Sequence, residues 1–196
     1  MDDIVRRALA KWPNVPHAYG WLSLDARGHW RLKQERITNA ALSSFIARNY
    51  QPDEEGRWFF QNGPQRVYVT LECTPFVFRL AAAGHGELTA HTGEPAGALH
   101  RIWLDEGGRM IALTRLGVGV IDDRDLPDLC ERLRAAGGDM PDETTLARWL
   151  DGDPAVALSL ADEPDALPVV RTRLDDLACA MGFVRTPRPR PGEPEC

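Results

Sequence analysis

Lysine is almost missing from this 196-residue chain. Lys11 and Lys33 are its only two, and arginine supplies the rest of the 23 basic side chains. Against 29 Asp and Glu they leave a formal net charge of −6. That balance lacks the basic footprint needed to displace counterions from a phosphate backbone, so nucleic acid is not the expected partner. Cysteine is scarce too. Cys73, Cys130, Cys179 and Cys196 are scattered with no CxxC pair, which excludes a zinc framework and a secreted disulfide set. Cys130 lies beside Leu129 and Leu133, and Cys179 beside Leu177 and Met181, so both read as small buried hydrophobes. No window holds the ~20 apolar residues of a membrane span. The start, Met1-Asp2-Asp3-Ile4-Val5-Arg6-Arg7, has no long apolar core of a signal peptide. The expectation is a cytoplasmic protein without membrane contact.

Catalytic signatures are missing as well. Ser23, Ser43, Ser44 and Ser159 lack a Gly-x-Ser-x-Gly elbow, and Cys73 has no histidine near it in sequence. Neither Gly84, Gly86, Gly93 and Gly97 nor Gly117 and Gly119 form a phosphate loop. His85, His91 and His100 are the densest histidines, with Glu87 or Glu94 available to join them. Their spacing in a glycine-rich stretch is not that of a metal site, and they read as exposed loop residues. His17 reads as a packed or capping histidine. Asp122-Asp123 stands where a strand passes into a helix, which suits capping, and Asp175-Asp176 suits a solvated helix face. The sequence therefore nominates no catalytic residue, no metal ligand and no cofactor.

What is present is a series of short β signals between helices. Residues 4–12 carry Ile4, Val5, Ala8, Leu9 and Trp12 at helical spacing before Pro13. Tyr19-Gly20-Trp21-Leu22-Ser23-Leu24 and His29-Trp30-Arg31-Leu32 flank Asp25-Ala26-Arg27-Gly28, a hairpin frame in which Asp bonds the turn and Gly takes positive φ. Residues 38–50 form a helix capped by Thr38 or Asn39, with Ala41, Leu42, Phe45, Ile46 and Tyr50 on one side. The strongest β pattern is Arg57-Trp58-Phe59-Phe60-Gln61, the loop Asn62-Gly63-Pro64-Gln65, and alternating Arg66-Val67-Tyr68-Val69-Thr70-Leu71. Strands follow at 76–80, 87–90, 100–104, 109–113 and 118–121. A helix is expected with Leu126, Leu129, Cys130 and Leu133, stopped by Gly137-Gly138. Another opens at Pro141-Asp142-Glu143, a strand covers 155–160, and a last helix covers 172–181. Residues 186–196 are proline-rich and read as a flexible tail.

Asp53-Glu54-Glu55-Gly56-Arg57 resembles Asp105-Glu106-Gly107-Gly108-Arg109, and Asp25 shares the frame. The pattern fits a duplicated β unit and equally a common hairpin turn used three times. The run from Gly20-Trp21-Leu22 through Gly56-Arg57-Trp58-Phe59-Phe60 to Arg66-Val67-Tyr68-Val69 and Thr74-Pro75-Phe76-Val77 resembles an uncharacterised proteobacterial domain family with repeated β motifs. The match covers about residues 17–135. It implies an α+β fold with no established activity and at most a signalling role. The chain departs from the family's pattern at Gln61–Arg66, where the family carries Thr-Pro-Val-Glu-Lys.

The resulting expectation is an α+β protein of two β-rich halves built from antiparallel hairpins, with flanking helices and a short helical C-terminal extension. Its divisions are a core over 1–138, with candidate repeats at 17–80 and 86–138, an extension over 139–185 and the tail from 186. In strand register Trp58 and Phe60 share one face, while Arg57, Phe59 and Gln61 share the other. Arg57, Phe59, Gln61, Asn62, Gln65 and Arg66 are the candidate partner-binding set, since they project from one hairpin and its tip. The function expected is a non-catalytic regulatory or protein-interaction module with a protein partner. The alternative is an enzyme or small-ligand binder with its site between the halves. RNA binding by the sheet is a third reading, disfavoured by charge.

Overall fold

The computed structural model describes residues 1–12, 15–80, 87–161 and 166–192. The first sheet is entered through helix α1 (Asp3–Lys11) and built from β1 (Ala18–Leu24), β2 (Trp30–Leu32), β3 (Glu35–Arg36), β4 (Tyr50–Pro52), β5 (Trp58–Asn62) and β6 (Gln65–Leu71). Helix α2 (Ala40–Arg48) stands between β3 and β4, and Asn39 caps it by accepting from the Leu42 amide at 3.0 Å. The second sheet begins with β7 (Phe76–Leu80), β8 (Leu88–Ala90), β9 (Pro95–Gly97), β10 (Arg101–Leu104), β11 (Met110–Thr114) and β12 (Gly117–Ile121). After α3 (Leu126–Cys130) come β13 (Leu133–Ala135), α4 (Glu143–Leu150), β14 (Leu158–Ala161), β15 (Ala166–Arg171) and α5 (Leu174–Met181). The fold is α+β and β-rich.

The strands do not stay in separate antiparallel hairpins as the sequence suggested. They merge into two mixed sheets, ordered β3-β2-β1-β6-β5-β4 and β13-β14-β15-β10-β11-β12-β7-β8-β9. Three neighbours are parallel: β1 with β6, β7 with β12, and β10 with β15. Parallel partners are distant in sequence, and local alternation carries no trace of them. The first sheet and the β9-to-β10 part of the second have the same order when β1–β6 are matched to β7–β12 in turn. The topological repeat thus runs from Ala18 to Leu71 and from Phe76 to Ile121. Beyond it, β15 continues the second sheet through β10, and β14 and β13 extend it further.

One turn geometry recurs at the hairpins. In Asp53–Arg57 the Asp53 amide donates to the Arg57 carbonyl at 2.9 Å, and the Gly56 amide returns to the Asp53 carbonyl at 3.1 Å. The amides of Glu55 and Arg57 both reach Asp53 Oδ1, and Arg57 Nε reaches Oδ2 at 2.8 Å. Asp105 repeats each bond with Gly107, Gly108 and Arg109, its Oδ2 taking Arg109 Nε at 2.7 Å. Asp25 does the same through Arg27, Gly28 and His29, with Arg31 Nε on Oδ2 at 3.0 Å. Each turn closes on a glycine with φ between +75° and +79°, a left-handed conformation that strains any side chain.

Two large apolar cores, beside a small aromatic cluster, fill the interior of the described residues. One holds Leu22, Leu24, Trp30, Phe60 and Leu71 of the first sheet together with Val77, Trp103, Ile111 and Val120 of the second, closed by Leu174, Leu177 and Phe183. The other lies under α3 and α4 around Phe78, Ile102, Leu129, Trp149 and Leu160. Since the first core draws on both sheets, they pack as one body.

Several local expectations change. Leu133 is not in a helix: α3 ends at Cys130, Leu133 starts β13, and Gly138 closes a turn from Ala135 to Asp139. The helical spacing of its apolar residues survives only as far as Leu129, because β14 supplies Leu133 with a strand partner. Cys130 and Cys179 are exposed rather than buried, since Leu129 on α3, and Leu177 and Ala178 on α5, take the core positions instead. In the tail Pro187 is buried and the Arg188 carbonyl accepts from Arg57 Nη1 at 3.2 Å. Pro13, His85 and the last four residues of the tail, Cys196 among them, lie outside the described residues.

The repeated turn allows a controlled comparison. A β-carbon at Gly108 would meet nothing within 4 Å, whereas one at Gly56 would run into the Gly182 carbonyl oxygen. Gly108→Ala should cost only the left-handed strain, about 1–2 kcal/mol. Gly56→Ala should cost at least about 2 kcal/mol more, through displaced backbone, as read by urea denaturation of the two variants side by side.

Candidate functional site

The clearest apolar concavity lies between α2 and the first sheet. It encloses about 250 Å3 and is lined by Trp21 and Leu22 of β1, Leu32 of β2, Leu42 and Ile46 of α2, Ile37 ahead of that helix, Phe60, Val67, and the polar pair Asn62 and Gln65. Leu22, Ile46 and Phe60 are its buried floor. Trp21, Leu32 and Leu42 remain 43%, 46% and 41% exposed. Large apolar side chains scattered singly on a surface mean little, but three around one groove make a patch of the kind used for recognition. Ile4 and Trp12 of the neighbouring N-terminal segment are exposed as well; α1 approaches the β5–β6 turn where Ala8 faces Gly63.

The groove's lip carries backbone strain. β2 and β3 are joined by Lys33 and Gln34, with φ of +47° and +72°, and neither is glycine. A two-residue turn of this hand suits Asn-Gly, and two ordinary residues there cost on the order of 1–3 kcal/mol each. The strain has a visible result: Lys33 Nζ sits 3.8 Å above the Trp21 ring, and the Lys33 amide donates to the Trp21 carbonyl at 2.8 Å. One of the chain's two lysines thereby holds the indole at the groove's edge.

The six residues nominated from sequence divide between two faces of the β5–β6 hairpin. Asn62 and Gln65 line the groove. Arg57, Phe59 and Gln61 lie buried on the opposite face. There Phe59, Tyr68 and Tyr19 form a small aromatic cluster, with the two tyrosine rings stacked at 4.5 Å and Arg66 lying 4.6 Å above Phe59. Gln61 closes the turn by donating to the Gly63 and Gln65 carbonyls. Arg57 is the hub of that face. It contacts Asp53, Tyr68 and Tyr19, and the C-terminal segment passes over it in a parallel bridge at Val184. Burial raises the Asp53 carboxyl, but the Arg57 and Glu55 hydrogen bonds outweigh it and leave the group below its ordinary value. The strand alternation indicated the two faces. The groove itself gave no sequence signal, because Trp21, Leu32 and Leu42 read like core residues.

A second, more open concavity of about 850 Å3 runs between the sheets, from the Gly28–Trp30 stretch past Arg36, Ser43 and Ser44 to His91 and Thr92. His91 is not a surface loop residue. It packs against Trp30, Tyr50 and Phe76 at ring separations of 5.1, 5.9 and 6.2 Å. Burial drives its pKa down to about 3 against the attraction of the Asp25 carboxylate. His100 is exposed. Among the described residues no three His, Cys, Asp or Glu side chains gather as a metal site would require. Asp122 caps the turn entering α3 by accepting from the Arg124 amide, and its Arg124 and Arg79 partners hold its carboxyl at about 2. Cys73 is buried and its thiol is pushed up to about 11, an environment that suppresses the thiolate a nucleophile needs.

This pair of mixed sheets has a counterpart among solved proteins. A DUF1285 family protein from Silicibacter pomeroyi DSS-3 superposes with a TM-score of 0.52 at 16% identity, over 90% of this chain and 98% of that one. At that identity the likeness is one of fold. Another DUF1285 family protein, from Shewanella baltica OS155, aligns over 60% of this chain and 93% of its own, with 14% identity and a TM-score of 0.39. No curated protein matches. The model of the family DUF2944, described as a protein of unknown function (DUF2946), matches residues 1–188, and the chain belongs to that family. The resemblance to an uncharacterised domain family thus holds. No helix among the described residues is long and apolar enough to cross a membrane.

Two outcomes follow from these environments. Alkylation of the native protein at pH 8 should label Cys130 and Cys179 readily and Cys73 roughly a hundredfold more slowly, because so little of it is thiolate; peptide mass spectrometry after a timed quench reads the difference. For His91 the folded pKa lies below the unfolded value near 6.5. As pH falls below ~6.5 the unfolded chain takes up a proton that the fold refuses, and stability declines by about 1.4 kcal/mol per pH unit until about pH 3. Between pH 7 and 5 the wild type should therefore lose about 2 kcal/mol more than His91→Gln in urea titrations.

Proposed function

We propose that this protein is a non-catalytic interaction module of the cytoplasm, regulatory in character, which receives a partner protein through the groove between α2 and the first sheet. The observation that carries the reading is the groove itself: three large, partly exposed apolar side chains beside Asn62 and Gln65, with a strained turn fixing Trp21 at the lip. Backbone strain retained against a cost of this size is characteristic of recognition sites.

The partner's chemistry follows from the lining. Apolar anchors would fill the space over Leu22, Ile46 and Phe60, and a backbone group would meet the Asn62 amide, Gln65 Nε2 being held by the Pro16 carbonyl. No carboxylate among the described residues lines this groove, although the chain as a whole is acidic, and Lys33 stands at its edge. An apolar peptide segment flanked by acidic residues is therefore the occupant that fits, with complementary charge setting orientation more than affinity. Buried Arg57, Phe59 and Gln61 would serve this surface indirectly, by holding the hairpin that presents Asn62 and Gln65. Two further features support a binding role over catalysis. The Asp25 carboxylate is consumed by its own turn, and Cys73 is buried with its thiolate suppressed.

The test places a photo-crosslinking amino acid at Leu42, irradiates in lysate of the source cells, and maps the attached peptides. One recurrent apolar segment with acidic flanks should dominate, and Trp21→Glu should reduce its yield at least about tenfold, the loss expected when a central aromatic anchor is removed. Adducts scattered without preference, or unaffected by Trp21→Glu, would overturn the proposal. Crosslinks to a second copy of the chain would replace it with a self-association surface.

A further inference from the structure

The concavity between the sheets carries an independent inference. Its volume of about 850 Å3 lies within the range of small-molecule sites. Two consecutive residues of its wall hold polar atoms that are buried with no hydrogen-bond partner among the described residues, His91 Nε2 and Thr92 Oγ1. Buried polar atoms without partners are rare in folded proteins, and two side by side on one cleft ask for an explanation. The histidine's state is fixed by its surroundings. Its Nδ1 accepts from the Val77 amide at 3.3 Å, so the neutral ring carries its proton on Nε2. The inner end thus presents an N–H and an O–H, both able to donate.

The outer end is cationic. The Arg36 guanidinium has no hydrogen bond or ion pair among the described residues, and Arg48 makes only 3.3 Å contacts to Asp2. Thr38, Ser43 and Ser44 add hydroxyl-bearing side chains to the lining, and Trp30 and Ile37 add apolar ones. No Asp or Glu among the described residues lines this cleft, in a chain where acidic residues outnumber basic ones by 29 to 23.

We infer that this cleft binds a small organic anion. Its carboxylate or phosphate engages Arg36 and Arg48, and a carbonyl or hydroxyl oxygen at its other end accepts from His91 Nε2 and Thr92 Oγ1. Both inner atoms are sealed from solvent, so the tip of the turn at Thr92 and Gly93 must yield as the oxygen arrives, while His91 keeps its two bonds to Val77. That turn closes with the Ala90 amide on the Glu94 carbonyl at 2.9 Å and with Gly93 at φ +89°. It lacks the Asp carboxylate that braces the turns at Asp25, Asp53 and Asp105, which makes it the easier one to displace.

The probe is the deproteinated small-molecule fraction of a bacterial cell extract, dialysed to equilibrium against the full-length protein and read by mass spectrometry of what is retained. One or a few organic anions should be enriched. Arg36 is exposed and unpaired, so Arg36→Glu should leave the melting temperature unchanged while cutting the enrichment at least about tenfold, the scale of one charge-assisted hydrogen bond. Thr92→Val should weaken it too, and Trp21→Glu in the groove should not. Treating the extract with phosphatase first separates the head groups: a phosphate ester disappears from the retained set, and a carboxylate stays. Enrichment of no anion, or enrichment indifferent to Arg36→Glu, would overturn the inference.

Discussion

A carboxylate folded back over its own turn is the interaction on which the architecture rests. Asp53 and Asp105 each gather two turn amides on one oxygen and the arginine four residues later on the other. Amides that bend away from the strand ladder would otherwise lose their partners where the hairpin is covered, and buried groups of that kind are costly. The aspartate satisfies them locally and fixes the length of the connection. With β4–β5 and β10–β11 closed in the same way, the strand that follows each pair returns in the same sense and meets a parallel neighbour, β1 in one sheet and β7 in the other. The shared strand order of the two sheets is what this device, used at corresponding positions, produces.

The candidate sites stand where that correspondence breaks. In the first sheet a nine-residue helix, α2, separates β3 from β4, while the matching connection between β9 and β10 has no helix. One side of α2 overhangs the apolar groove through Leu42 and Ile46. Another borders the inter-sheet cleft through Ser43, Ser44, Ala47 and Arg48. A repeated frame supplies rigidity, and the helix inserted into it borders two concave surfaces of opposite character, one apolar and one cationic.

Much of the secondary structure was legible because its causes are local. Alternation in Arg66–Leu71, the Asp-x-x-Gly turns and the Asn39 cap are written in adjacent residues, and each appears where expected. Sheet topology was not legible. The pairing of β1 with β6 joins residues about fifty positions apart, as Ala18 with Val67 does, and nothing within either strand specifies it. β15 shows the same limit, with burial interrupted along its length and its place set by β10. The hairpin at 57–71 was found, and its two faces were separated by alternation, but what covers each face was beyond reach. Arg57 is covered by a segment near the chain's end, whereas Asn62 and Gln65 look onto a groove whose far wall is a helix.

That covering segment has a consequence for biosynthesis. The Val184 amide donates to the Gly56 carbonyl, the Leu71 amide to the Arg185 carbonyl, and Arg57 to the Arg188 carbonyl across 131 positions. Contacts this long-range are made late and slow the approach to the native state. On the ribosome the first sheet would emerge with its central guanidinium still lacking its final lid, which is encoded 131 positions downstream. The stretch from Val184 to Arg188 therefore acts as a latch, and the half made before it has to wait.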